Sequence, residues 1–232
     1  MDGIGGRLTG SPNMKRANEW TRDKLTEFGL SNAHLESWGP FGRGWSYESC
    51  SVRMTSPDVV QLSAIPKAWS PGTNGPLRGK PVKVKLETTE DLQNQKGKLG
   101  GKNVMAADPM APKHHDTPDF KRYDTKELSE IEQYDIVARP RYTPSEILRR
   151  RQFRRELAQF LQDEKAAALI EEGRGDFGTM NVQSSGSQKP EEPQGVPTVT
   201  VESEQYDRIA RLLDAGRNVE VELDFNSGRN RI

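Results

Sequence analysis

Residues 195–225 constrain the fold more than any other part of the chain, because they predict a strand, a helix and a second strand in succession. Val199 and Val201 alternate with polar neighbours, the pattern of a half-buried strand. Ser203 can cap the start of a helix, and Gly216 can adopt the left-handed conformation that ends it. The helix carries one apolar stripe, made of Tyr206, Ile209, Ala210 and Leu213. The closing strand alternates strictly, with acidic residues between Val219, Val221, Leu223 and Phe225.

The composition is that of an ordered domain with long loops. Apolar residues make up 32% of the 232, whereas 21 glycines and 15 prolines punctuate the chain. The 34 basic and 34 acidic residues cancel, so we expect no nucleic-acid partner. No run approaches the ~20 apolar residues of a membrane span, and we expect none. The single cysteine, Cys50, excludes an internal disulfide.

Two further helices are indicated upstream. Ser11 and Pro12 open the first, over residues 12–28, whose apolar stripe includes Met14, Leu25 and Phe28. Pro144 opens the longest, which runs to about residue 164. Short strands are predicted at residues 49–54, 59–65, 82–86, 104–107, 166–170 and 178–182. The connections are predicted as a turn at 92–101, a long loop at 108–143 with a brief helix at 125–133, and a mobile polar loop at 184–194. Strands interleaved with helices indicate an α/β or α+β fold.

Two clusters carry metal-binding residue types. His34 and Glu36 would point the same way on a strand, but no further ligand is close in sequence. His114 and His115, followed by Asp116, lie in the proline-rich loop, where adjacent side chains point to opposite faces. A structural or solvated role is favoured for both, because short motif matches are often accidental.

Four other features could carry chemistry, and each favours a structural interpretation. The glycine-rich start at residues 3–6 lacks the lysine and the preceding strand of a phosphate-binding loop. Cys50 has no histidine nearby in sequence to act as its base. The acidic pairs Glu171–Glu172 and Glu191–Glu192 are predicted to be solvated. The basic run on the long helix also has a solvated face as its simpler explanation, and consists of Arg149, Arg150, Arg151, Arg154 and Arg155. We therefore predict no catalytic, cofactor-binding or metal-binding residue in this chain.

A family resemblance adds to this interpretation. The start of this chain resembles the N-terminal part of zinc aminopeptidases of peptidase family M28, which are relatives of glutamate carboxypeptidase and the transferrin receptor ectodomain. The resemblance is carried there by GGRLTGSPNMKRANEWTRDKLTEFGL and AHLESWGPFGRGW. The protease-associated (PA) domain of those enzymes, an open β-barrel or sandwich flanked by helices, is similar to residues 77–225. The resemblance is carried there by KGKLGGKNVMAA, KAAALIEEG and GVPTVTVESEQYDRIARLLDAGRNVEVEL. It divides the chain into an N-terminal peptidase segment (1–76), a PA domain (77–225) and a linker (226–232).

The resemblance implies a parent enzyme that removes N-terminal residues from peptides with two zinc ions. The family's H-x-D motif, bridging Asp, Glu-Glu pair and later Asp and His lie after the PA domain, so no catalytic residue carries over. His34 and Glu36 imitate the first zinc motif but fall in the aromatic N-terminal segment. The resemblance places the missing catalytic domain against Met14, Trp20, Leu25 and Phe28. It also implies a secreted or periplasmic parent, although the start of the sequence lacks signal-peptide features and leaves localisation open.

Two alternatives stay open. One is a free-standing PA-like module that binds a protein or peptide. The other is a self-sufficient metal enzyme built on His34, His114 and His115, which stoichiometric bound metal would reveal.

Overall fold

The computed structural model describes residues 3–110, 116, 118, 120, 122–131, 143–175, 177–181 and 183–231. Five helices and nine strands lie in these residues. The helices are α1 (Pro12–Glu27), α2 (Thr89–Asn94), α3 (Thr125–Ile131), α4 (Pro144–Asp163) and α5 (Ser203–Asp214). The strands are β1 (Arg43–Ser56), β2 (Val60–Leu62), β3 (Ala64–Pro66), β4 (Leu77–Gly79), β5 (Pro81–Lys83), β6 (Asn103–Met105), β7 (Ala168–Glu172), β8 (Thr198–Val201) and β9 (Glu220–Arg231). Within the described residues, no helix is both long and apolar enough to cross a membrane.

The first sheet is antiparallel, with strand order β2-β1-β9-β4. Its longest strand pairing joins β1 and β9, in which Val52 is paired with Leu223 and Met54 with Val221. Residues from both predicted segments, 1–76 and 77–225, therefore share one sheet. Glu222 is buried on the opposite side of β9, where Arg53 and Arg78 both donate hydrogen bonds to its carboxylate. These bonds, led by that from Arg78, lower the pKa of Glu222.

The second sheet has the order β3-β8-β7-β6-β5. Strands β5 to β8 are parallel, and β3 joins as an antiparallel edge. Parallel neighbours need crossover connections, which α2 supplies between β5 and β6 and α4 supplies between β6 and β7. The mixed α/β architecture confirms the expected α+β fold class.

Two apolar clusters cover the two faces of the second sheet. On one face, Val104 and Leu169 pack with residues of α2 and α4, such as Leu92 and Leu161. On the other face, Met105 and Ile170 pack against α5 and the first sheet. Because side chains alternate along β6 and β7, each face of the second sheet has its own core. Helices α2 and α4 cover one core, and α5 and the first sheet cover the other.

The closing strand–helix–strand unit is present, with two corrections. Strand β8 is not half-buried as predicted, since Thr198 and Thr200 are only 2% exposed between neighbouring strands in the sheet. The cap of α5 is Glu202 rather than Ser203: its carboxylate accepts from the backbone of the first turn, while Ser203 donates to the carbonyl of Gly173. Gly216 does take the predicted left-handed conformation, with φ of +68°.

Three connections also differ from prediction. The single strand expected at residues 59–65 is split by Ser63, so that β2 and β3 belong to different sheets. Residues 178–181 form turn and coil instead of a strand, and residue 182 lies outside the described residues. The segment 92–101, expected to be a turn, starts inside α2. The capping box of Thr88 and Asp91 is a sequence signal that indicates the start of this helix.

The loop at residues 184–194, predicted to be mobile, is held against β1 by Arg43. The amide of Arg43 donates to the carbonyl of Gln188 at 2.7 Å, and its guanidinium reaches the carbonyls of Ser187, Pro190 and Glu192. The side chain of Glu192 accepts from Ser187 at 2.6 Å. One arginine thus satisfies several loop carbonyls that the sequence alone leaves without partners.

Candidate functional site

A cleft of about 960 Å³ lies beside the middle of α4, and we call it the α4 cleft. Its floor includes Ala107, which follows β6, and Glu172, the last residue of β7, and its wall includes Arg149 and Phe153 of α4. Open α/β sheets bind ligands at the carboxyl ends of their parallel strands, which is where this cleft lies. The α4 cleft is therefore a candidate binding site by position.

Charges of both signs line the α4 cleft. Lys67 and Glu171 form an ion pair across its floor. Desolvation raises the pKa of Glu172, and the nearby Asp207 carboxylate raises it further, whereas the Met110 amide that donates to Glu172 at 2.9 Å opposes the shift. Carboxyl groups with a raised pKa are common in the clefts of functional sites, and structural ion-pair networks also shift pKa values.

The groups around Glu172 favour binding over catalysis. Tyr206 donates from its hydroxyl to the carbonyl of Ala107 at 2.7 Å, and burial raises the pKa of that phenol. The Ser203 hydroxyl donates to the Gly173 carbonyl. The phenol proton of Tyr206 is therefore committed to a backbone oxygen, whereas the Ser203 hydroxyl lies between the Gly173 carbonyl and the Glu172 carboxylate.

His34 and Glu36 do come together, but as an exposed pair. The Nε2 atom of His34 lies 3.0 Å from a Glu36 carboxylate oxygen, and Nδ1 lies 2.8 Å from the carbonyl of Asn32. These two contacts, led by the Asn32 carbonyl, raise the pKa of His34. Both ring nitrogens are thus engaged within a solvated turn.

The other metal candidates are only partly covered by the described residues. His114 and His115 lie outside the described residues, and Asp116 is exposed. Within the described part of the chain, no group of three or more His, Cys, Asp or Glu side chains is placed to hold a metal. The donors among the described residues therefore do not fit the two zinc ions of the parent enzyme implied by the resemblance.

The basic run on α4 is exposed along its length. Arg149, Arg150 and Arg154 border the α4 cleft, while Arg155 pairs with Glu192 of the 184–194 loop at 2.9 Å. Glu146 accepts from the amide of Thr143 at 2.7 Å in the capping box of the helix. The run thus contributes to a cleft wall and a loop contact.

The remaining candidates have structural surroundings. Cys50 lies on β1, and burial followed by the Asp224 charge raises its pKa to about 11, which keeps the thiol protonated at neutral pH. Glu191 precedes the paired Glu192 in the 184–194 loop. The glycine-rich start packs beside α1, where Arg16 donates to the carbonyl of Ile4 at 3.4 Å.

Sequence reasoning missed a second cavity, of about 760 Å³, which we call the tryptophan cavity. Trp45, Tyr47 and Trp69 line it together with Arg7 and Gln183. Its walls come from four separate segments, residues 6–13, 45–47, 65–69 and 183–184. The density of aromatic residues between positions 38 and 69 was the only available signal.

Comparison with known proteins supports the fold. No family model matches the chain, and no curated protein matches it. A peptidase M28 precursor from Shewanella amazonensis SB2B has a similar structure, with a TM-score of 0.59 and 20% identity over 97% of this chain and 44% of that one. BSAP, a zinc aminopeptidase from Bacillus subtilis, has a TM-score of 0.50 and 14% identity over 98% of this chain and 41% of that one. At these identities the likeness shows the fold alone, and that M28-like fold was expected. The chain spans less than half the length of either protein.

Proposed function

We propose that this chain is the non-catalytic N-terminal and PA portion of a di-zinc metallo-aminopeptidase. The observation that carries the proposal is the similarity of nearly the whole chain to less than half of two peptidase structures. Residues 1–76 would be the N-terminal peptidase segment and residues 77–225 the PA domain. Residues 226–231, predicted as part of a linker, instead continue strand β9 of the first sheet. The zinc ligands and the general base would lie in a catalytic domain outside these residues.

The outer face of α1 supports a missing neighbour. Trp20, Leu25 and Phe28 are 55%, 38% and 72% exposed, and Met14 is half-buried. Trp38, which is 75% exposed, adds to the apolar surface that follows the helix. Burying one large apolar side chain stabilises a protein by about 1.5–3 kcal/mol, so this surface can supply substantial docking energy to a catalytic domain.

The PA portion would then shape access of peptides to the catalytic site. The α4 cleft suits this role because its charges of both signs can contact a polar peptide without reacting with it. The Lys67–Glu171 pair and the arginines of α4 supply those contacts. Peptide substrates would thus contact this chain at the entrance to the catalytic site.

The decisive experiment is an aminopeptidase assay of the purified chain on a panel of aminoacyl-nitroanilides with added zinc, with bound metal measured in parallel. We expect no turnover and no metal retained through gel filtration. Turnover with about two zinc ions per chain would contradict the proposal and favour the metal enzyme built on His34, His114 and His115. An H-x-D motif encoded shortly after Ile232 would add direct support.

A free-standing PA-like interaction module is the second candidate, and the α4 cleft is the observation that favours it. Such a module would bind a protein or peptide without any catalytic domain. Arg154→Gln, in the wall of the cleft, should then weaken binding of a charged peptide library, whereas Arg217→Gln, at an exposed position after α5, should not. Absence of a catalytic domain in the encoding DNA would select this candidate over the first.

A further inference from the structure

The tryptophan cavity adjoins the α4 cleft at Gln183 and Ser184, but no residue of helix α4 lines it. Its two tryptophans are fixed by their own ring N–H groups: Trp45 donates to the carbonyl of Ser70 at 3.0 Å, and Trp69 donates to the carbonyl of Arg43 at 2.8 Å. With both N–H groups committed, the rings offer a ligand their faces and edges. Tyr47 extends this surface, with its ring centroid 5.8 Å from that of Trp45. Such rings favour stacked or edge-on contact with another aromatic ring.

The backbone around Trp69 is also specialised. Trp69 has a φ of +62°, an uncommon conformation for a bulky residue and one that is often retained at functional sites. The 183–186 segment closes on it, since the amide of Ser185 donates to the carbonyl of Ala68 at 3.1 Å. A Cβ at Gly186 would lie 2.0 Å from the Trp69 carbonyl oxygen, so only glycine allows this approach. Two other chain segments, at Arg43 and at residues 183–186, thus hold Trp69 in place at the cavity wall.

The cavity has a polar side with one sign of charge. Among the described residues that line it, Arg7 is the one charged side chain, and Asn13 and Gln183 are neutral hydrogen-bonding groups. An arginine beside an aromatic surface favours an anionic ligand, because its guanidinium matches the fork of a carboxylate. The volume of about 760 Å³ falls within the range of pockets that hold ligands larger than a single side chain.

We propose that the tryptophan cavity binds the C-terminus of a short peptide whose last residue is aromatic. The terminal ring contacts Trp45, Tyr47 and Trp69, and the free carboxylate pairs with Arg7. The rest of the peptide occupies the polar side near Asn13 and Gln183. This site belongs to the chain itself, and its existence does not depend on the proposed aminopeptidase role.

The test is tryptophan fluorescence in a W20F/W38F background, which removes the two exposed tryptophans and leaves Trp45 and Trp69 as reporters. The ligands are Gly-Gly-Phe, the same tripeptide as its amide, N-acetyl-L-phenylalanine and Gly-Gly-Leu. We expect saturable binding in the order tripeptide acid, N-acetyl-phenylalanine, tripeptide amide, with Gly-Gly-Leu weaker than Gly-Gly-Phe. Equal affinity of N-acetyl-phenylalanine and the tripeptide would move the assignment to a free aromatic acid and overturn the peptide C-terminus.

Two variants on the exposed side of the cavity separate its parts. Arg7→Gln should weaken binding of the acid about fivefold and remove the preference for acid over amide. Tyr47→Leu should weaken acid and amide alike, by about two- to tenfold. Arg217→Gln and Tyr123→Leu, both at exposed positions outside the cavity lining, are the matched controls and should change nothing. Absence of saturable binding, or binding that neither cavity variant alters while circular dichroism shows them folded, would overturn the proposal.

Discussion

Helices α1 and α5 each carry an apolar stripe, yet the described chain buries only the stripe of α5. In α5, Tyr206, Ile209 and Ala210 are at most 1% exposed. In α1, Ala17 is the one residue that is buried, while Trp20 remains 55% exposed. The comparison teaches that a stripe predicts a helix and the face that it buries, but not where the covering surface comes from.

The two helices differ in how they are attached. Helix α5 packs its apolar face on the core to which both sheets contribute, and Tyr206 both fills that core and bonds to the carbonyl of Ala107. In helix α1, by contrast, the Ser11 hydroxyl that accepts from the amide of Met14 at 3.2 Å is only a local cap, and Ala17 is the one buried residue of the helix. We therefore expect α5 to unfold with the core, and α1 to contribute little to that transition.

The largest effect is expected at Ile209. Ile209→Ala removes buried methyl groups from the core between the sheets and should lower the free energy of unfolding by about 2–5 kcal/mol. Urea denaturation followed by circular dichroism measures this change. Ile209→Val is the graded control and should cost about 0.5–1.5 kcal/mol. A loss below that of the valine variant would mean that α5 is not part of the cooperative core.

The next effect concerns the glycines that end the two helices. Gly216 follows α5 with φ of +68°, and Gly29 follows α1 with φ of +87°. An added Cβ meets no atom within 4 Å at either place, so alanine would introduce backbone strain without a clash. Gly216→Ala should destabilise the protein by about 1–2 kcal/mol in the same denaturation experiment.

Gly29→Ala introduces the same strain at α1 and is the matched comparison. If α1 unfolds separately from the core, this variant should leave the main transition unchanged and only increase early proteolysis near α1. Equal destabilisation by both variants would contradict the contrast between the helices.

Local patterns on single elements made much of the fold predictable. The start of α1 at Ser11 and Pro12, the long α4 and the end of α5 at Gly216 each depend on residues within one turn of the helix end. Strand identity on β9 follows from strict alternation. Burial on its acidic face did not follow, because Glu222 is covered through Arg53 and Arg78 from other strands.

The features that sequence reasoning missed depend on distant residues. The split of β2 from β3 at Ser63 follows from which sheet each strand joins, which alternation does not encode. The order of the 184–194 loop depends on Arg43, more than a hundred positions away. The tryptophan cavity likewise needs four segments to meet before Trp45 and Trp69 share one space.

A smaller, pH-dependent effect is expected at Glu172, because burial and a charge on α5 destabilise its ionised carboxylate. Burial and Asp207 of α5 raise the folded-state pKa of Glu172 above its ordinary value of 4.5. Folding therefore favours the neutral carboxyl. Its contribution to the free energy of unfolding is full below the ordinary pKa and is lost as the pH rises through the raised pKa of the folded state. Glu172→Gln should raise the melting temperature slightly at pH 7, and this gain should vanish in acid.

A double-mutant cycle tests the cause of that effect. In an Asp207→Asn background the gain from Glu172→Gln should shrink, because the repelling charge is gone. The Met110 amide can still bond to the glutamine oxygen, so the variant keeps that contact. An undiminished gain would assign the pKa shift to desolvation alone.

The smallest effect is expected at Trp20, and it connects the helix comparison to function. Trp20→Ala removes a large side chain that the described chain leaves mostly in solvent, so the free energy of unfolding should change by no more than about 0.5 kcal/mol. In a protein that also carries the proposed catalytic domain, Trp20 would be buried at the interface between them. The same substitution should then cost several times more, as measured by the thermal stability of the longer protein. Equal, small effects in both proteins would mean that the apolar face of α1 does not bind the catalytic domain.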